Sequence, residues 1–212
     1  MRYFSLILLF AIFVSSCSSV VKEEYPDGTL KSEVTMKNGQ KNGPSSYYYP
    51  NGNIELRMNY ADDQLEGQYE KFTIKGTRTE LTMYVAGKKN GESKIFGEDG
   101  KLQLLAMFVN DTIHGTYKEF YPNGQVKVSG TYNHGFYDGK WEYFDFSGIN
   151  VGYAEFKNGT GKQFALYYGS KRIKTEVSYV NNQKDGEEIW YDADGKIEKK
   201  TIYSDGRIIS AE

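Results

Sequence analysis

The chain has 212 residues and a formal net charge of −2, with Lys and Glu scattered singly, so it lacks the basic stripe that nucleic-acid binding needs. Aromatic residues make up 16% of it, including 19 Tyr and 12 Phe, unlike the aromatic-poor composition of disordered chains. A count of 23 Gly against 4 Pro suits short strands joined by tight turns, and a single Cys excludes an intramolecular disulfide.

The chain opens with Arg2, an apolar run from Phe4 to Val14, and a small-residue end. That run is shorter than the roughly 20 apolar residues a membrane-spanning helix needs, and the layout is that of a secretory signal. Val14-Ser15-Ser16-Cys17 resembles the lipobox of bacterial lipoproteins. The resemblance implies cleavage before Cys17, lipid attachment to it, and partnership with a membrane through several acyl chains, since one chain binds only marginally. Ser18 resembles the sorting position of outer-membrane lipoproteins, and Lys22-Glu23-Glu24 faintly resembles a surface-export signal of some Bacteroidetes lipoproteins. An ordinary signal peptide with an incidental Cys, or an uncleaved anchor, is the competing reading. The expected organisation is a signal peptide over 1–16, a lipid-anchored tether over 17–24, and a repeat domain over 25–212.

From Tyr25 onward the chain repeats. Gly28, Gly52, Gly76, Gly100, Gly124 and Gly148 recur every 24 residues, and a second series, Gly43, Gly67, Gly91, Gly115 and Gly139, keeps the same interval. Most of the first series follows Asp or Asn, a pair that supplies the positive φ of tight turns. After each such turn, residues +2 to +8 alternate, as in Ile54, Leu56, Met58 and Tyr60 with Asn53, Glu55, Arg57 and Asn59 between them. This period marks a strand with one buried face. Position +8 reads Met36, Tyr60, Tyr84, Phe108, Tyr132, Phe156, Tyr179 and Tyr203. After the second glycine comes a looser aromatic strand, such as Trp141 to Phe144, where a bulge or twist is expected. Taking both glycine series as corners, the fold class is all-β, an elongated antiparallel array of β-hairpin repeats with about 14 to 16 strands. Near Gly161 the phase slips, because that glycine arrives two residues early.

The unit Tyr-Pro-Asn-Gly followed by a short strand and a Gly-x-aromatic segment resembles the bacterial MORN-repeat variant family, from residue 25 to about 209. Tyr25-Pro26-Asp27-Gly28, Tyr49-Pro50-Asn51-Gly52 and Tyr121-Pro122-Asn123-Gly124 carry the resemblance, while 73–96 and 145–168 depart from it. The resemblance implies hairpin repeats with binding or scaffolding roles, some members being antitoxin- or immunity-like.

The chain carries no phosphate loop, no Gly-x-Ser-x-Gly and no dinucleotide fingerprint, so neither an enzyme nor a cofactor is expected. His114 and His134 read as turn residues rather than metal ligands, and Asp192-Ala193-Asp194-Gly195 reads as a turn rather than a calcium loop. An envelope glycan hydrolase using Asp138, Glu142 and Asp145 is the catalytic alternative. Adjacent strand residues point to opposite faces, so clusters such as Tyr47-Tyr48-Tyr49 must expose some rings. Tyr47, Tyr49, Trp141, Tyr143, Trp190 and Tyr191 are the expected binding rings, for a protein partner the sequence does not identify or for a glycan. The opposing view is that these rings pair across strands and stabilise the sheet.

Overall fold

The computed structural model describes residues 18–212; the expected signal peptide over 1–16 and the expected lipidation site Cys17 lie outside the described residues. The first strands are β1 (Ser18–Glu24), β2 (Leu30–Lys37), β3 (Gln40–Tyr48), β4 (Ile54–Ala61), β5 (Gln64–Leu65), β6 (Gly67–Phe72), β7 (Arg78–Val85), β8 (Lys88–Phe96) and β9 (Leu102–Val109). The rest are β10 (Thr112–Phe120), β11 (Val126–Asn133), β12 (Phe136–Phe144), β13 (Asn150–Lys157), β14 (Thr160–Leu166), β15 (Ile173–Val180), β16 (Gln183–Tyr191), β17 (Ile197–Ser204) and β18 (Arg207–Ala211). No helix occurs among the described residues.

Consecutive strands pair antiparallel, except that β5 and β6 both pair with β4, giving a continuous meander in one open sheet. Extensive contacts join only strands consecutive along this meander, so the described residues form a single layer. The all-β hairpin array expected from the 24-residue period is therefore present. The 18 strands among the described residues exceed the expected number, in part because one strand is split at Glu66 into β5 and β6.

Residues 18–24, expected to be a tether, are instead the 7-residue strand β1, with Ser18 opposite Lys37 and Glu23 opposite Ser32. The physical reason is the margin of β2, whose unpaired N–H and C=O groups would otherwise be left open. Among the described residues the sheet therefore already includes Ser18 and does not start at Tyr25.

The chain turns in two ways. At the Tyr-Pro-Asx-Gly corners a three-residue loop closes: Gly28 N–H donates to Tyr25 C=O at 2.9 Å, and Tyr25 N–H donates to Thr29 C=O at 2.8 Å. Gly28 alone needs a left-handed backbone there (φ 85°), the signature of a type I turn with a glycine bulge. Asp27 Oδ1 accepts the Thr29 N–H at 2.9 Å, and Asn51 and Asn123 accept equivalently at 3.1 Å. Where Tyr-Pro is missing, other side chains substitute: Asp145 Oδ1 accepts the N–H groups of Ser147 and Ile149, each at 2.9 Å.

The second glycine series does not mark corners, contrary to the expectation. The second corners are two-residue turns such as Asn38-Gly39, Asp62-Asp63, Ala86-Gly87 and His134-Gly135, with both residues at positive φ. Five of the eight second residues in these turns are Gly, but Asp63, Asp111 and Asn182 are not, which hid the series from a count of glycines. Gly43 instead sits in a bulge: Val34 faces Ser45 while Met36 faces Lys41, leaving extra residues on β3. Its φ is 115°, and a Cβ there would come within 3.1 Å of the Thr35 side chain.

Periodic bonds staple successive corners together along both margins. The hydroxyls of Tyr25, Tyr49, Tyr121 and Tyr167 donate to the carbonyls of Tyr48, Phe72, Phe144 and Tyr191 at 2.6–3.0 Å. On the other margin, Asp63 N–H donates to Lys41 C=O at 2.9 Å, and Lys41 N–H returns the bond to Asp63 Oδ1 at 2.7 Å. Asp111 and Lys89 repeat that exchange at 2.9 and 2.8 Å.

The core follows from large residues set against small ones on one face. Tyr117 lies between Ala106 and Gly130, and Trp141 lies opposite Ala154. The Trp141 ring rests on Gly130, in the space a Cβ would take. Trp141, Ala154 and Phe156 form the buried cluster, with Tyr117, Val128, Tyr132, Tyr137, Tyr143 and Tyr179 packed around it. The phase slip now has a cause. The β13–β14 hairpin runs from Gly152–Ala165 to Lys157–Thr160 without any register shift, so it lacks the bulge. The following turn is one residue longer, closing from Tyr167 N–H to Arg172 C=O at 2.9 Å.

Candidate binding surface

The six rings expected to bind are not brought together. Tyr47 sits on β3, Tyr49 in the next corner, Trp141 and Tyr143 on β12, and Trp190 and Tyr191 on β16. Trp141 is a correction: it is 3% exposed, and its indole N–H donates to Thr131 C=O at 3.1 Å. A ring that fits over a glycine on the neighbouring strand stays inside, because the missing side chain leaves room for its large apolar area to be buried. Tyr143 packs against the same cluster, and burial pushes its hydroxyl pKa well above the usual tyrosine range. Burial does the same to Tyr117 and Tyr132. Tyr49 uses its hydroxyl as a staple, Tyr47 is half-buried, and Tyr191 is half-buried beside a groove. Trp190 is the exposed member at 36%, with the Lys174 ammonium 6.0 Å from its ring.

The carboxylates considered for hydrolysis each hold a structural partner. Asp138 Oδ1 accepts the Asn158 N–H at 3.0 Å, Glu142 pairs with Lys140 at 2.7 Å, and Asp145 caps its corner. Asp192 likewise caps its own turn through the N–H groups of Asp194 and Lys196, at 2.9 and 2.8 Å. His134 occupies a turn as expected, whereas His114 lies in β10 beside the bulge glycine Gly115. Their rings are 4.6 Å apart, and His134 N–H donates to His114 Nδ1 at 3.2 Å. Among the described residues no three His, Cys, Asp or Glu converge as a metal site would require.

Two open grooves flank the long corner at 167–172. One, of about 500 Å³, is lined by Lys171, Arg172, Ile173 and Tyr191 together with the Asp192–Gly195 turn. The other, of about 510 Å³, is lined by Lys140, Glu142, Asn150, Tyr153, Leu166, Ser170 and Lys171. Tyr153 and Phe164, cross-strand partners, stack there at 4.9 Å on the face opposite the Trp141 cluster. Sequence reasoning missed this pair, although Tyr153 stands five residues after Gly148, where other repeats have Glu33, Arg57, Leu81, Leu105 and Ser129.

Fold and surface together define an all-β hairpin-repeat protein whose units each lean on the next. The profile of the family described as MORN repeat variant matches residues 20–38, 41–62, 89–110, 113–134 and 184–205, just over half of the chain. The chain belongs to the MORN repeat variant family. Each match after the first runs from an incoming strand, through a glycine corner, to the two-residue turn beyond. Repeats of this kind commonly serve as binding or scaffold modules, and the family is generally non-catalytic. No curated protein matches the chain.

Proposed function

We propose that this protein is a non-catalytic binding and scaffold module, exported as a bacterial lipoprotein and held in the outer membrane by lipid on Cys17. The observation that carries the binding reading is the single-layer sheet, stapled along both margins and open on both faces. Such a surface is rigid without a second layer, and a pre-organised surface loses little entropy when a partner docks. The anchor reading rests on the Val14-Ser15-Ser16-Cys17 segment. Because β1 begins at Ser18, the lipid would leave no spacer and would hold the first margin of the sheet against the bilayer.

Affinity capture of the lipidated protein from its own envelope, followed by mass spectrometry, tests the binding reading. A stoichiometric envelope partner supports it; a stoichiometric toxin would instead assign an immunity role. Cys17→Ala should release the protein from membranes or stall its processing. Unchanged membrane retention with unchanged mass would sink the anchor.

A further inference from the structure

We infer that the groove beside Tyr153 is a binding site for an acidic sugar unit of an oligosaccharide. The inference rests on the reading of the chain as a binding module and not on the lipid anchor. Phe164 covers one side of the Tyr153 ring, and the groove opens against Tyr153 without reaching Phe164. The free side of the tyrosine ring thus forms a wall of the groove. A pyranose presents a flat C–H face that matches such a wall, and its hydroxyls need polar partners at the rim.

The rim supplies them unevenly. On either side of the ring pair stand Glu142 and Glu176, the former opposite Tyr153 and the latter opposite Phe164. Each carboxylate already holds a lysine, Lys140 and Lys162 respectively. Lys171 also lines the groove, yet it has no ion pair or side-chain hydrogen bond with the described residues. One uncompensated ammonium beside an aromatic wall selects a ring that carries a carboxylate. In this arrangement the sugar stacks on Tyr153, its carboxylate meets Lys171, and its hydroxyls reach Glu142 and the Asn150 amide.

The site is also built on firm ground. The strands carrying Tyr153 and Glu142 hold Ala154 and Trp141 on their opposite face, so the groove is backed by the core cluster. A volume of about 510 Å³ suits one or two sugar rings rather than a folded domain.

The test titrates the full-length protein, in detergent, with a galacturonic-acid hexamer and with maltohexaose, by calorimetry and saturation-transfer NMR. The uronate hexamer should saturate with a dissociation constant below about 1 mM and weaken as salt rises. Tyr153→Ala and Lys171→Glu should each reduce affinity about tenfold or more, while Tyr153→Phe should stay within about threefold. Lys171 is exposed, so its variant is expected to keep the fold, checked by circular dichroism. Equal affinity for both hexamers, no binding at about 5 mM, or binding unchanged in both variants overturns the inference. If no sugar binds while Lys171→Glu still captures its envelope partner, the site assignment fails and the binding-module reading survives.

Discussion

The repeats matched by the family profile and the unmatched stretch between His134 and Lys184 solve one problem in two ways. In the matched repeats the bulge glycine adds length, the two-residue turns after the first bond the repeat before them, and the small residues Ser45, Ser93 and Ala106 fill the buried row. In the unmatched stretch the β13–β14 hairpin lacks the bulge and the turns draw together. Asn182 there reaches past one whole hairpin: its Oδ1 accepts the Tyr137 N–H, and its Nδ2 donates to Gly135 C=O, each at 2.8 Å. Gly159 is buried beneath it, and Gly152 and Gly161 lie where a Cβ would strike neighbouring backbone. The core cluster forms in this contracted stretch. A single-layer sheet that cannot bury its aromatics under a second layer buries them where its own strands draw closest.

That comparison can be broken most severely at its centre. Trp141→Ala should cost about 3–5 kcal/mol in urea unfolding, since it empties the middle of the cluster. The equivalent cut in a repeat that keeps its bulge, Tyr69→Ala, should cost distinctly less, because Tyr69 pairs its ring with Tyr84 alone. Equal losses would mean that the core is spread evenly and the contrast is false. Gly130→Ala is expected to cost about 1–3 kcal/mol by forcing the Trp141 ring off its seat, visible as a shift in tryptophan fluorescence.

Asn182→Ala should cost about 1–3 kcal/mol, leaving a half-buried N–H and C=O without partners. Asp63→Ala, which removes one exposed bond to Lys41 of a matched repeat, should cost about 0.5–1.5 kcal/mol. Hydrogen exchange at Tyr137 and Lys41 reads the two sites separately, and matching protection losses would erase the distinction.

The smallest effect is on pH dependence. Burial pushes the Glu119 and Glu188 carboxyls up, but hydrogen bonds outweigh it and hold both below the ordinary glutamate range. Those bonds come from Tyr117 and Lys127 to Glu119, and from Tyr203 and Lys184 to Glu188. A depressed folded value means that stability is complete above the unfolded value near about 4.3 and declines as pH falls through the folded one. The unfolding midpoint should therefore drop on going from about pH 6 to about pH 3, and drop less in Glu119→Gln and Glu188→Gln. An identical drop in both variants would assign the acid sensitivity elsewhere.

Much of this was legible in the residues. The interval of 24 and the alternation from Ile54 to Tyr60 require hairpins and hidden rings, because strand geometry gives those residues no other common face. The loose alternation points to a bulge near the second glycines, but spacing alone does not separate a bulge glycine from a corner glycine, since Gly serves both positions equally well. Strand β1 escaped notice because Ser18 to Glu24 has neither a glycine corner nor a column of rings before it.

The binding site divides the same way. Spacing alone could identify exposed and hidden candidates as types, but not that Trp141 would settle over Gly130 from the neighbouring strand. Nor could it show that losing one bulge would bring Asn182 to Tyr137 and leave Tyr153 stacked on Phe164. Local periodicity determined the strands, their order and their inward face, because these depend on residues a few positions apart. Only the folded sheet decided which rings are buried and where the grooves open, because those depend on register between strands, which one missing bulge is enough to change.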